Sequence, residues 1–266
     1  MVGTDKENLT VKTRHLGVAL LGALLALTAC GSPAAEPAAP AGKKVVAATA
    51  WEGALAKAAG ATDVAVIVPA STAHAADYDP KPSDLVAVGK ADLVLYAEFE
   101  GFAGKLKDAA GGNAKVEAVT LDNTPDVVKS EVRRLAGLLG TAPAAEEWVT
   151  KFDATLSGAA GTVKAAWRDG KAPKVVSQAF VAYMAAITGA EVVGTYGPGP
   201  VTPAQLADLA AKQPDLVLDN AHMSTGTVLP DSPAKQVKVV NYPGADLDLL
   251  GVFTTNAEEI AKALES

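Results

Sequence analysis

Residues 143–169 read PAAEEWVTKFDATLSGAAGTVKAAWRD. After Pro143 the stretch holds no proline, and Trp148, Phe152, Leu156, Ala159, Val163 and Trp167 recur at spacings of three and four. That is the spacing of one helix face. As a single helix the run would be about 40 Å long, at roughly 1.5 Å per residue. Gly158 and Gly161 each weaken it by up to ~1 kcal/mol relative to alanine, so a break there stays open. A helix of this length either packs inside one domain or joins two.

The flanking sequence decides between those options. Upstream, residues 45–49, 64–68, 93–96 and 116–120 are short runs rich in valine, leucine and alanine. The first three are almost wholly apolar, as buried parallel strands are; Glu117 interrupts the fourth, which suits a sheet edge. Helix candidates fall between them, at 51–60, 83–90 and 102–110, with Ser83 as the expected cap of the second. Downstream, strands are expected at 174–177, 191–193, 216–218 and 237–240, and helices at 179–188, 203–212 and 255–264. Thr202-Pro203-Ala204-Gln205 has the order of a cap, a first-turn proline and a back-bonding glutamine, and Thr255-Asn256-Ala257-Glu258 repeats it. Strand–helix alternation predicts an α/β fold. Two doubly wound lobes, 44–142 and 170–266, would be joined by one long helix at 143–169. The ligand cleft would lie between the lobes, beyond the carboxyl ends of the strands.

Composition narrows the function. The chain has 266 residues, 55 of them alanine; 49% are hydrophobic and 20% charged, which suits a globular body. One cysteine excludes a disulfide framework and any multi-cysteine metal centre within the chain. A net charge of −7 argues against nucleic acid as a partner. Thr49-Ala50-Trp51-Glu52 lacks the glycines of a phosphate loop, and no Gly-x-Ser-x-Gly elbow is present, so an enzyme is not expected.

The N-terminus reads as an address. Lys6, Lys12 and Arg14 precede residues 16–29, which carry no charge. That length suits a signal-peptide core of ~7–15 residues and falls short of the ~20 needed to span a bilayer. Leu27-Thr28-Ala29-Cys30 resembles the bacterial lipobox, in which the cysteine is lipidated. Residues 1–29 are then a removed signal peptide. Residues 30–43, rich in proline, alanine and glycine, form a tether from lipid to domain. The expected location is the extracytoplasmic face of the bacterial cell membrane.

The strand ends carry the candidate chemistry. Trp51-Glu52 follows the first strand, and His74, Asp77 and Asp79 lie in the long loop after the second. Glu98 and Glu100 follow the third, Asp122 and Asn123 the fourth. In the second lobe Ser177-Gln178, Tyr196, Asp219-Asn220-Ala221-His222 and Asn241-Tyr242 occupy the equivalent places. Both histidines outside the signal peptide therefore fall in predicted cleft loops, one per lobe. Histidine with carboxylates is a donor set for zinc, manganese or a similar divalent ion.

The segment Tyr78-Asp79-Pro80-Lys81-Pro82-Ser83-Asp84-Leu85, followed by Ala91-Asp92-Leu93-Val94-Leu95-Tyr96, is more specific. It resembles the zinc/manganese ABC-transporter substrate-binding proteins, the cluster with a long connecting helix. Phe99-Glu100-Gly101-Phe102 is similar to that family's Leu-Glu-x-Trp, and the second lobe agrees more loosely through Ala179-Phe180, Tyr183 and Glu191-Val192-Val193-Gly194. The resemblance runs over residues 44–264. It implies a monomeric, lipid-anchored receptor that delivers a divalent metal ion, zinc first and manganese second, to an ABC permease.

The family's ligand positions are largely changed. Its first histidine falls on Ala76, its second on the stretch Leu121 to Asp126, and its third on Ser177 or Gln178; Asp219 can supply its acidic fourth ligand. Two readings of the cleft follow. In one, the metal site is rebuilt from His74, Glu98, Asp219 and His222, with Glu100 or Gln178 as substitutes for Glu98. In the other, the same fold takes an organic ligand or a metal chelate, for which Trp51, Phe99, Tyr196 and Tyr242 would supply rings. A surface adhesion role is a third use of the same fold.

Overall fold

The computed structural model describes residues 42–69, 72, 75–224 and 226–266. The signal peptide, Cys30 and nearly all of the expected tether lie outside them. Eight strands form two parallel four-stranded sheets. The first contains β1 (Lys44–Ala47), β2 (Asp63–Val66), β3 (Leu93–Tyr96) and β4 (Lys115–Ala118), in the order β2-β1-β3-β4. The second contains β5 (Lys174–Gln178), β6 (Glu191–Tyr196), β7 (Leu216–Asn220) and β8 (Lys235–Val239), in the order β6-β5-β7-β8. The two sheets thus repeat one topology, and β4 with its Glu117 is an edge as its composition requires.

The helices are α1 (Ala50–Ala58), α2 (Pro82–Val88), α3 (Ala103–Ala110), α4 (Pro125–Leu139), α5 (Ala142–Ala165), α6 (Ala182–Thr188), α7 (Pro203–Ala210) and α8 (Leu249–Glu265). Helix α5 is the long helix read from the sequence, and it runs unbroken through Gly158 and Gly161. It stops at Ala165, so Trp167 belongs to the turn beyond it. The capping box Thr202–Gln205 forms at the start of α7.

Three expectations are corrected. Helix α2 begins at Pro82, one residue before Ser83, and its first turn is held by Asp84, whose carboxylate accepts from the Lys81 amide at 2.8 Å and the Tyr78 hydroxyl at 3.0 Å. Helix α4 was not expected, although Val128, Val132, Leu135 and Ala136 give it a buried face. Helix α8 starts at Leu249 rather than 255, capped by Asp248 through the Gly251 amide. Asn256 sits mid-helix, buried, where its amide bonds both the amide and the carbonyl of Val240.

Strand alternation divides the core. In β3, Leu93 and Leu95 face one cluster while Val94 and Tyr96 face another. In β7, Leu216 and Leu218 face the first cluster and Val217 the opposite side. The first cluster belongs to both lobes: it runs from β1, β3 and α1 through α4, α5 and α8 to β5 and β7. Phe152 at its centre stacks on Trp148 at 4.9 Å and meets Phe253 edge-on at 5.1 Å. Helix α5 is therefore both the connector and the shared core of the lobes. The lobes also meet where the Lys57 ammonium donates to the Asp246 carbonyl at 2.7 Å.

Candidate functional site

A cavity of about 710 Å³ opens between the lobes, with walls built by the segments that leave β1, β3 and β4 on one side and β5, β7 and β8 on the other. Its position at the strand carboxyl ends is the one the alternation predicts.

Helix α1 shapes one wall. Thr49 caps it: the Trp51 amide donates to the Thr49 hydroxyl oxygen, and the Glu52 carboxylate accepts from the Thr49 amide at 3.1 Å and from its hydroxyl. This capping box fixes Trp51 on the cavity wall and turns Glu52 inward, where it is fully buried. Glu100, only 3% exposed, lies on the wall and accepts from the Ala97 amide at 2.9 Å. Burial pushes the Glu52 carboxyl up. Burial and the neighbouring Glu52 charge push Glu100 up to about 9. One oxygen of each carboxyl has no partner. Glu100 is therefore protonated at neutral pH, since two adjacent buried carboxylates cannot both stay ionised.

The opposite wall is aromatic. Tyr242 lies between two rings: Trp51 at 5.5 Å and 24°, and His222 at 3.8 Å and 12°. The stack joins the lobes. Asn123 joins them again, its amide donating to the Asn241 carbonyl at 2.5 Å. The His222 backbone amide donates to Asn220 Oδ1 at 3.0 Å, and its ring Nε2 is buried without a partner. Burial lowers the His222 pKa, which keeps the imidazole neutral and free to coordinate at neutral pH. The side-chain oxygens of Asn123 and Asn241 and the Trp51 indole nitrogen are likewise unpartnered. Buried polar atoms normally find partners, so the four on Trp51, Asn123, His222 and Asn241, drawn from both lobes around one cavity, mark a place where a ligand supplies them.

Of the four metal ligands expected from the sequence, the three that are described, Glu98, Asp219 and His222, do not meet. His222 is on the cavity wall. His74 lies outside the described residues. Glu98 points away, its side chain 70% exposed, held by the Tyr96 hydroxyl at 2.6 Å and facing Lys107 at 3.8 Å. Asp219 is buried behind the wall and fully engaged: Tyr196 donates to it at 2.7 Å, Ser224 at 2.5 Å and Gln236 at 3.0 Å. The reason is strand register. Strand β7 runs to Asn220, so alternation sends Asp219 to the outer face and Asn220 to the cavity. Gln178, likewise, ends β5 and caps the next turn by accepting from the Phe180 amide at 2.7 Å. Among the described residues no group of three histidine, cysteine or acidic side chains is placed to hold a metal by itself. Polar wall residues outside the expected four are Asp77, Glu100, Asp122, Asn123, Asn220 and Asn241. All six lie in the strand-end segments read from the sequence, and Glu100 is also named there as the substitute for Glu98.

No protein-family profile matches the sequence, and no curated protein matches it. Solved structures do match. The laminin-binding protein Lbp of Streptococcus pyogenes superposes with a TM-score of 0.63 at 17% identity, over 84% of this chain and 99% of that one. The manganese complex of the SBP FpvC from Pseudomonas aeruginosa gives 0.61 at 16% identity, over 84% and 98%. A zinc-bound variant of AdcAII from Streptococcus pneumoniae gives 0.60 at 19% identity, over 84% and 99%. At such identities these likenesses establish the fold alone: the chain shares the two-lobed α/β architecture of these structures, with its cavity between the lobes.

Proposed function

We propose that this chain is the extracytoplasmic solute-binding component of an ABC importer, anchored by lipid at Cys30, and that it captures a divalent metal as cargo in the interlobe cavity for delivery to a permease. The observation that carries the reading is the set of unpartnered ligating atoms around the cavity: His222 Nε2 and the amide oxygens of Asn123 and Asn241. Two structural neighbours are described as holding manganese and zinc, which supports a metal for this cavity as well. Neutral imidazole suits zinc, while carboxylate and amide oxygens also suit manganese. The proposal needs no bond-making chemistry: the lobes bind and release. His74, in the loop after β2, is the proposed second imidazole.

The test is thermal unfolding of the metal-stripped chain with zinc, manganese, cobalt, nickel and copper. An ion present at 100 times its Kd adds about 2.7 kcal/mol of stability. His222→Ala should abolish the shift. No shift with any ion, free or complexed, refutes the reading.

A further inference from the structure

We infer that the metal enters this cavity inside a small organic chelate, and that Phe99, Phe180 and Met223 with the Trp51–Tyr242–His222 stack recognise the planar organic shell rather than the bare ion. The inference rests on the proposed metal cargo and specifies its chemical form.

Size is the first argument. Six waters at about 30 Å³ each make a hydrated ion's shell of about 180 Å³. The cavity, about 710 Å³, is some four times that, within the range of ~300–1,000 Å³ used for organic ligands. The rim is the second. Among the described residues five large hydrophobic side chains are exposed, and three of them stand on this cavity: Phe99 at 66%, Phe180 at 53% and Met223 at 45%. Phe99 comes from one lobe and the other two from the other lobe, so a flat apolar molecule would be gripped from both sides. Scattered exposed hydrophobics are ordinary; a cluster around one cavity marks a binding surface.

The polarity of the unpartnered atoms is the third argument. Trp51 Nε1 is a donor, and a cation offers it nothing. The Asn123, Asn241 and Glu100 oxygens are unpartnered beside it on the same wall, and Asn123 and Glu100 are almost fully buried. A solute with its own acceptors and N–H or O–H donors satisfies both kinds at once. The described wall supplies His222 as its one imidazole donor and places no three histidine or acidic side chains together, so a chelator brings the rest of the coordination shell.

The test uses phenanthroline as a flat aromatic chelator. Zinc, manganese and nickel are titrated into the full chain as chlorides and as equimolar phenanthroline complexes, alongside phenanthroline alone. Tryptophan fluorescence and thermal shift report binding. At least one complex should bind about tenfold or more tighter than its chloride and than free phenanthroline. The Phe99→Ala/Phe180→Ala variant should lose about tenfold of that affinity, and Val86→Ala, exposed on α2, should lose none. Both phenylalanines are exposed, so the double variant folds, which its unchanged melting without ligand verifies. Chlorides binding as tightly as complexes overturn the inference and leave the metal receptor standing. Complexes insensitive to the double variant do the same. Free phenanthroline binding as tightly as its complexes, or silence with every probe, overturns both.

Discussion

Glu100→Gln should make the protein more stable at alkaline pH. The Glu100 carboxyl titrates at about 9 in the folded chain against an ordinary value of 4.5, because it is buried beside Glu52. Between those values the native state holds a proton that the unfolded chain has released. Its stabilising contribution is complete below pH 4.5 and is lost as pH rises towards 9. Within that window one such proton tilts stability by up to about 1.4 kcal/mol per pH unit. From about pH 7 to about pH 8.5 the wild-type chain should therefore lose on the order of 2 kcal/mol. His222 does not interfere: its pKa is lowered, so its contribution changes only on the acid side of 6.5. Glutamine keeps the acceptor for the Ala97 amide, removes the like charge and offers Glu52 a donor. Urea unfolding at both pH values, for wild type and variant, isolates the pair, because every other titrating group is common to the two chains. The variant should decline less steeply than the wild type, since it retains only the raised Glu52 carboxyl. Equal slopes, or a wild type that gains stability with pH, would refute the buried-pair account.

Phe152→Ala should cost about 3–5 kcal/mol and lower both lobes in one transition, since Phe152 is fully buried in the core they share; two separate unfolding steps by circular dichroism would contradict a common core. Asn123→Ala removes the amide that bridges to the Asn241 carbonyl, and should cost about 1–3 kcal/mol in urea unfolding. Acidification below pH 6.5 should protonate His222 and release the metal; because burial lowers its pKa, the midpoint by competition with a chromogenic chelator should lie below 6.5. Cys30→Ala should move the protein from the membrane fraction to the soluble fraction, read by fractionation and immunoblot.

The architecture was largely readable in the sequence because its signals are local. Val45, Val46 and Ala47 sit in an apolar run that only a strand covered on both faces tolerates, and they are fully buried. Trp148 to Val163 keep one helical face, and the two glycines among them do not break it because α5 packs along its length against α4 and α8. The misreadings have tertiary causes. Thr255-Asn256-Ala257-Glu258 has the letters of a cap, yet Asn256 spends its amide on Val240, just past β8 and 16 positions away, beyond the reach of any local rule. The start of α4 at Thr124-Pro125 looked like the loop of a strand end, and its apolar face shows only once α1 and α5 are there to cover it.

The site was half readable, and the misread half turns on where strands end. The sequence reading ends the strand at Leu218, two residues short of Asn220, and so treats Asp219 as a cleft-loop residue. As a strand residue Asp219 alternates to the face opposite Asn220, which lines the cavity. Beyond β3 the choice between Glu98 and Glu100 turns on a contact 48 positions away, because Glu100 folds inward to meet Glu52 while Glu98 is drawn out by Tyr96 and Lys107. Glu98 and Asp219 are thus turned away from the cavity, Asp219 into bonds with Tyr196, Ser224 and Gln236 and Glu98 towards Tyr96 and Lys107. The described wall carries one imidazole, the protonated Glu100 carboxyl, the side chains of Asp77 and Asp122, the amides of Asn123, Asn220 and Asn241, and a set of rings. No three of its described histidine and acidic side chains are placed to hold an ion together, so a metal that arrives with part of its own coordination shell suits this wall.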